Sequence, residues 1–83
     1  MSKPYSQACE NNKAFILRVI ENFFNPGDQI LEIGSNTGQH VIFFAEQLNQ
    51  TWWLPSDTEE SMDTLLAGLE DVQLTNLGEP LVL

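Results

Sequence analysis

Between Ala8 and Phe24 the apolar residues Phe15, Ile16, Val19, Ile20, Phe23 and Phe24 recur at helical spacing, and the pattern breaks at the turn-forming Asn25-Pro26-Gly27. The spacing predicts a helix with one buried face. Gln29 to Ile33 is short and rich in β-branched residues and runs directly into Gly34-Ser35-Asn36-Thr37-Gly38, so a strand is expected to end in a tight loop. From Gln39 to Leu48, Val41, Phe44, Ala45 and Leu48 fall on one helical face with Ile42 and Phe43 beside them. The loop therefore delivers the chain into the N-terminus of a second helix.

Thr51-Trp52-Trp53-Leu54 reads as a second strand that Pro55 brings to an end. Trp52 and Trp53 alternate across it, one for each face, and packing beneath a helix is sufficient reason for both. Met62, Leu65, Leu66 and Leu69 give a further amphipathic helix from Glu59 to near Gly68. Val72 to Leu83, with Asn76, Gly78 and Pro80, reads as a loop leading into a third strand at Leu81-Val82-Leu83. Strands alternating with helices of about ten residues imply right-handed crossovers and an α/β fold with a parallel sheet.

Length sets the scale of this fold. A chain of 83 residues builds one small core and buries roughly 60 to 65% of the surface its unfolded form exposes. A hydrophobic content of 42% is too high for an intrinsically disordered chain. The single Cys9 and single His40 exclude an internal disulfide and an ordinary structural zinc site, so no metal is expected. No apolar run approaches the ~20 residues of a membrane helix, and Met1 to Glu10 lack the layout of a signal peptide, which makes the cytoplasm the default location.

The formal charge of −9 is unevenly spread. Lys3, Lys13 and Arg18 balance Glu10, Glu21 and Asp28, whereas residues 32 to 83 hold nine acids and no Lys or Arg. Nucleic-acid binding requires basic side chains to neutralise phosphates, so a direct nucleic-acid partner is not expected. Glu59, Glu60, Asp63, Glu70 and Asp71 read as a solvated face around the last helix, and no site is assigned to them.

Candidate chemistry concentrates in Ile30-Leu31-Glu32-Ile33-Gly34-Ser35-Asn36-Thr37-Gly38, where an acid precedes the first glycine by two residues and a helix opens after the last. Glycines let the backbone turn sharply and approach a ligand, and the following helix presents unpaired N–H groups. A dinucleotide fingerprint would need glycine at 34, 36 and 39, but Asn36 and Gln39 occupy two of these positions, so NAD fits poorly. Asp57 follows Gly38 by nineteen residues at the end of the second strand, where nucleotide-binding folds place an acid on the ribose hydroxyls. Asp57 with Glu60 reads equally well as a helix N-cap with its N3 acid, and both readings stay open. His40, alone at a helix start, reads as a packing or surface residue, and no catalytic residue is singled out.

An acid followed by Gly-x-Gly-x-Gly resembles motif I of class I S-adenosylmethionine-dependent methyltransferases, matched here by Glu32, Gly34 and Gly38, with Asn36 in place of the middle glycine. The resemblance narrows at Ala8-Cys9-Glu10-Asn11-Asn12-Lys13, Gly38-Gln39-His40 and Trp53-Leu54-Pro55-Ser56-Asp57, which look like the methyltransferase-like twenty-six family. That family opens its first helix with Arg-Asn-Lys, and Asn11 stands where the arginine would be.

The resemblance implies a Rossmann-like methyltransferase fold limited to about three parallel strands in the order 3-2-1 with flanking helices. An N-terminal helix region (1–28) would precede a cofactor-binding half (29–83), together about the first half of such a domain. It further implies S-adenosyl-L-methionine as cofactor, held by Glu32, Gly34, Ser35, Asn36, Gly38, Asp57 and Asn12, with Glu32 accepting from the methionine amine. The methyl acceptor lies outside what these residues specify, and a chain holding only this half is expected to lack a complete active site. An unpaired apolar edge on the first strand invites self-association or a partner chain, an alternative in which the chain is a non-catalytic interaction module.

Overall fold

The computed structural model describes residues 3–83. Its elements are helix α1 (Gln7–Ile20), strand β1 (Gln29–Ile33), helix α2 (Gln39–Gln47), strand β2 (Trp52–Asp57), helix α3 (Met62–Leu69) and strand β3 (Leu81–Val82). A single 3-10 turn, Glu59–Ser61, leads into α3. All pairings are parallel and β2 is central, flanked by β1 and β3, which is the expected order read from the opposite edge.

The register pairs Ile30 with Trp53 and Glu32 with Pro55, so these four side chains share one sheet face. Against that face lie the buried Val41, Phe44 and Ala45 of α2, joined by Ile16, Leu17 and Ile20 of α1 and by Leu69 of α3. Trp53 is the centre of the core: its ring meets Phe24 edge-on at 5.8 Å and Phe44 at 5.7 Å, and its indole N–H donates to Thr51 Oγ at 2.8 Å. All three helices thus cover the same side. The opposite face, with Leu31, Ile33, Trp52 and Leu81 between 38 and 75% exposed, is open.

Expectations for three elements need correction. The first helix stops at Ile20 rather than Phe24, because Phe23 N–H reaches back only to the Ile20 carbonyl and tightens the last turn. Its apolar residues also form two stripes rather than one. Ile16, Ile20 and Phe24 pack on the core, while Phe15, Val19 and Phe23, each one position earlier, point to solvent.

Pro55 does not end β2; the strand runs on to Asp57. Trp52 N–H donates to the β1 side and Trp53 N–H to the Asn76 carbonyl on the β3 side, so alternation aims the Pro55 nitrogen toward β3. There the ladder is interrupted between the Trp53–Leu77 bridge and the Ser56–Leu81 pair. The missing donor of proline falls where no acceptor awaits it.

In α3, Leu65 is fully buried but Leu66 is half exposed, so the buried stripe is narrower than the apolar pattern. The glycine near its end lies inside the helix. Gly68 packs on the loop after β1 so closely that a Cβ would overlap the Thr37 carbonyl oxygen.

Candidate functional site at the end of the first strand

β1 ends at Ile33, and Gly34 turns the chain with φ +75°, a conformation side chains rarely adopt. Ser35 N–H then donates to the Ser56 carbonyl at 2.8 Å, and Ser35 Oγ accepts from Ser56 N–H at 3.1 Å, so one residue of the loop still belongs to the sheet. Ser56, fully buried, closes the joint by donating its hydroxyl to the Glu32 carbonyl at 2.6 Å. Asn36 follows in the left-handed region at φ +53° and Gly38 at φ +83° forms the N-cap of α2, with Gly38 N–H bonded to the Ser35 carbonyl at 2.9 Å.

The two motif glycines serve different purposes. Around Gly34 no atom lies within 4 Å of where a Cβ would stand, so the space above it is open. Gly38 is buried, and a Cβ there would press on Leu69 at 3.2 Å and Leu65 at 3.4 Å. Gly34 leaves room for something outside the chain, whereas Gly38 admits α3.

Glu32 lies on the helix-covered face beside Pro55. Its Oε1 is buried and has no hydrogen-bond partner. Burial pushes the carboxyl above the usual carboxylate range and the Asp57 charge adds to the rise, while the neighbouring Ser35 hydroxyl and His40 act in the opposite sense. A buried acceptor left unpaired is costly, and a donor cation arriving from outside would relieve that cost.

Asp57 neither caps a helix nor stands free. Thr58 is the N-cap of the 3-10 turn, with its hydroxyl accepting from Ser61 N–H at 3.3 Å. Asp57 Oδ2 instead accepts from Asn36 N–H at 2.7 Å and Oδ1 from Thr58 N–H at 2.8 Å. The acid at the end of β2 thereby ties down the left-handed residue of the neighbouring loop. Each carboxylate oxygen offers about two lone-pair sites, so further donors can still be accepted.

Asn12 is brought to the same end of the sheet by α1. Its Oδ1 lies 2.8 Å from His40 Nε2, and the His40 ring stacks on Phe44 at 5.4 Å, which accounts for His40 as a packing residue. Gln39 was not singled out as a site residue, yet it joins α1 to the loop. Its amide accepts from Ser6 N–H at 2.5 Å and donates to the Ser6 carbonyl at 3.2 Å and to Glu10 Oε2 at 2.5 Å, and Thr37 Oγ donates to it at 2.9 Å. Lys13 pairs with Glu10 at 2.7 Å and sits 4.8 Å from the Phe43 ring centre. The Lys13 hydrogen bond holds the Glu10 carboxyl below the usual range, with Gln39 adding to the effect.

Glu32, Gly34, Ser35, Asn36, Gly38 and Asp57 therefore meet at the ends of β1 and β2, with Asn12 at the rim through His40. Gly68, Ser56 and Gln39 were missed as its supports. An isolated glycine inside a helical pattern was the available signal for Gly68; nothing local marked Ser56 or Gln39. A family model described as "Protein of unknown function (DUF938)" matches residues 3–83. The chain belongs to this family. Its matched span includes every residue of the site just described. No solved structure matches the chain. Among the described residues no group of three His, Cys, Asp or Glu side chains gathers to hold a metal ion, and no helix is long and apolar enough to cross a membrane.

Proposed function

We propose that this DUF938 chain is the S-adenosyl-L-methionine-binding part of a class I methyltransferase of the methyltransferase-like twenty-six type, built on a Rossmann-like half-sheet. The observations that carry the reading are the buried, unpartnered Oε1 of Glu32 and, two residues on, the open space at the Cβ position of Gly34. A carboxylate in that position calls for a cationic donor, and the cofactor's methionine ammonium is one.

The remaining residues fit the same ligand. The N-terminus of α2, where Gly38 has no side chain to cap the helix and Thr37 Oγ accepts from Gln39 N–H at 3.3 Å, suits the cofactor's carboxylate. Asp57 keeps acceptor capacity for the two ribose hydroxyls while its bond to Asn36 N–H holds the loop in shape. Asn12, held by His40 at the rim, is suited to close over the ligand. Glu32 and Asp57 make the mouth anionic, which favours a ligand bearing ammonium and sulfonium charges over the pyrophosphate of a dinucleotide. When bound, the cofactor supplies an electrophilic methyl group on sulfur; the residues named here bind and orient it. No residue is assigned to the methyl acceptor. A cytoplasmic setting fits the free Cys9.

Calorimetric titration with S-adenosylhomocysteine tests the reading. Wild type should bind, Gly34→Arg should not, and Glu32→Gln should lose roughly 10- to 100-fold in affinity, the worth of one charge-assisted hydrogen bond. A folded wild-type chain that takes up no ligand would refute it.

A further inference from the structure

Residues 3–6 run from the end of α3 to the start of α2 and are held at both ends. At the first, Lys3 Nζ donates to the Glu70 carbonyl at 2.6 Å and to the Gly68 carbonyl at 3.4 Å, a cation on the last carbonyls of a helix. Pro4 follows, its Cγ 3.6 Å from where a Cβ on Gly68 would stand, and the Thr37 carbonyl oxygen overlaps the same point. Pro4 and the site loop thus meet across Gly68.

The second end is Gln39. Ser6 is extended at φ −126°, ψ 118°, and the Gln39 carboxamide accepts from its N–H at 2.5 Å and donates to its carbonyl at 3.2 Å, as a neighbouring strand residue would. The same amide donates to Glu10 Oε2 in the first turn of α1 and accepts from Thr37 Oγ in the loop. A carboxamide has two acceptor sites and two N–H groups. All are used, on Ser6, Glu10 and Thr37 together, and among the described residues no other side chain makes four hydrogen bonds.

We propose that residues 3–6 are a strap that sets the loop 34–38 and its affinity for ligand, with Gln39 as the positioning residue through which they act. Lys3 and Pro4 bear on the loop through Gly68, and Ser6 bears on it through Gln39. Loosening the strap frees Thr37 and, with it, the left-handed Asn36 whose N–H Asp57 holds. The effect on ligand rests on the reading of that loop as the cofactor site. Coupling of this kind is reciprocal, so bound cofactor tightens the strap in return.

The test uses the whole chain. Gln39→Glu sets two carboxylates face to face, Gln39→Glu paired with Glu10→Gln returns an amide opposite a carboxylate at the net charge of wild type, and Lys3→Ala releases the far end. Amide exchange is followed by NMR at Asn36 and Gly38 relative to Trp53, whose N–H is bonded to the Asn76 carbonyl, because general destabilisation moves all of them alike. In the free chain that ratio should rise about 10-fold in Gln39→Glu and return near the wild-type value in the paired variant. In Lys3→Ala it should rise about 3-fold, the worth of a cation on helix-end carbonyls. Affinity for S-adenosylhomocysteine should fall about 10-fold in Gln39→Glu and recover in the paired variant. A ratio unchanged in Gln39→Glu or in Lys3→Ala, or not restored by pairing, would overturn the proposal, and so would a loosened loop that binds the ligand as tightly as wild type. A folded wild type that binds none refutes the cofactor reading instead, and the strap then stands or falls on the exchange ratio alone.

Discussion

At the scale of single residues, Glu32 sets stability against binding. Its folded-state carboxyl titrates above the ordinary range because of burial, so the folded chain holds its proton more tightly than the unfolded one. The resulting penalty is absent below the unfolded value, grows as pH climbs through the window between the two, and is fully present above the folded value. Glu32→Gln should therefore melt at a higher temperature than wild type near neutral pH, with the gap closing in acid, as a pH series of thermal scans would show. Glu10 has the opposite sign. Its carboxyl is held below the ordinary range by Lys13 and Gln39, so its contribution is present at neutral pH and lost as pH falls through its folded value. Glu10→Gln should melt lower than wild type at neutral pH and match it in acid. At Asn36, φ +53° is the cost the chain accepts at the middle motif position. Asn36→Gly should be neutral or slightly stabilising, and Asn36→Val should destabilise by about 1–2 kcal/mol in urea titrations.

Among the elements, the loop after β1 is held from three sides: by Ser56 of β2, by Gln39 at the start of α2 and by Gly68 of α3. Gly68→Ala has no room, because its methyl would meet the rigid Thr37 backbone rather than a side chain that can swing away. A loss of about 1–3 kcal/mol is expected from such overpacking, together with weaker ligand binding, both measurable on one protein preparation. Other features of this level differ in how far they could be read in advance. β1 and α2 were legible to within a residue, since each has one apolar pattern bounded by turn residues and Val41, Phe44 and Ala45 have only one face to bury. The sequence does not show that β2 runs past Pro55, because a proline's cost depends on which neighbour its missing N–H would face, and that is decided by the distant Leu77–Leu81 segment. α1 reads as having one buried face because periodicity cannot separate adjacent stripes, and the core admits Ile16, Leu17 and Ile20 but not Phe15 or Val19. The site followed the same division. Glu32, Gly34 and Gly38 were visible as a local motif, whereas the Asp57–Asn36 tie and the Gly68 contact join residues far apart in the chain.

For the molecule as a whole, the charge is lopsided. Nine acids and no Lys or Arg follow Leu31, and among the described residues the one salt bridge, Lys13–Glu10, lies within α1. Self-repulsion of this kind weakens as salt screens it, so the thermal midpoint should rise between low salt and 0.5 M salt, the Debye length shrinking from tens of ångströms to a few. The same acidity surrounds a site whose one orphaned oxygen asks for a cation. The central claim, that Glu32 recognises the methionine ammonium of the cofactor, is tested most directly by comparing S-adenosylhomocysteine with methylthioadenosine, which lacks the amino-acid group, in titrations of wild type and Glu32→Gln. Wild type should prefer S-adenosylhomocysteine by about 10-fold or more and Glu32→Gln should lose most of that preference; a preference that survives intact in the variant, or a folded wild type that binds neither, would contradict it.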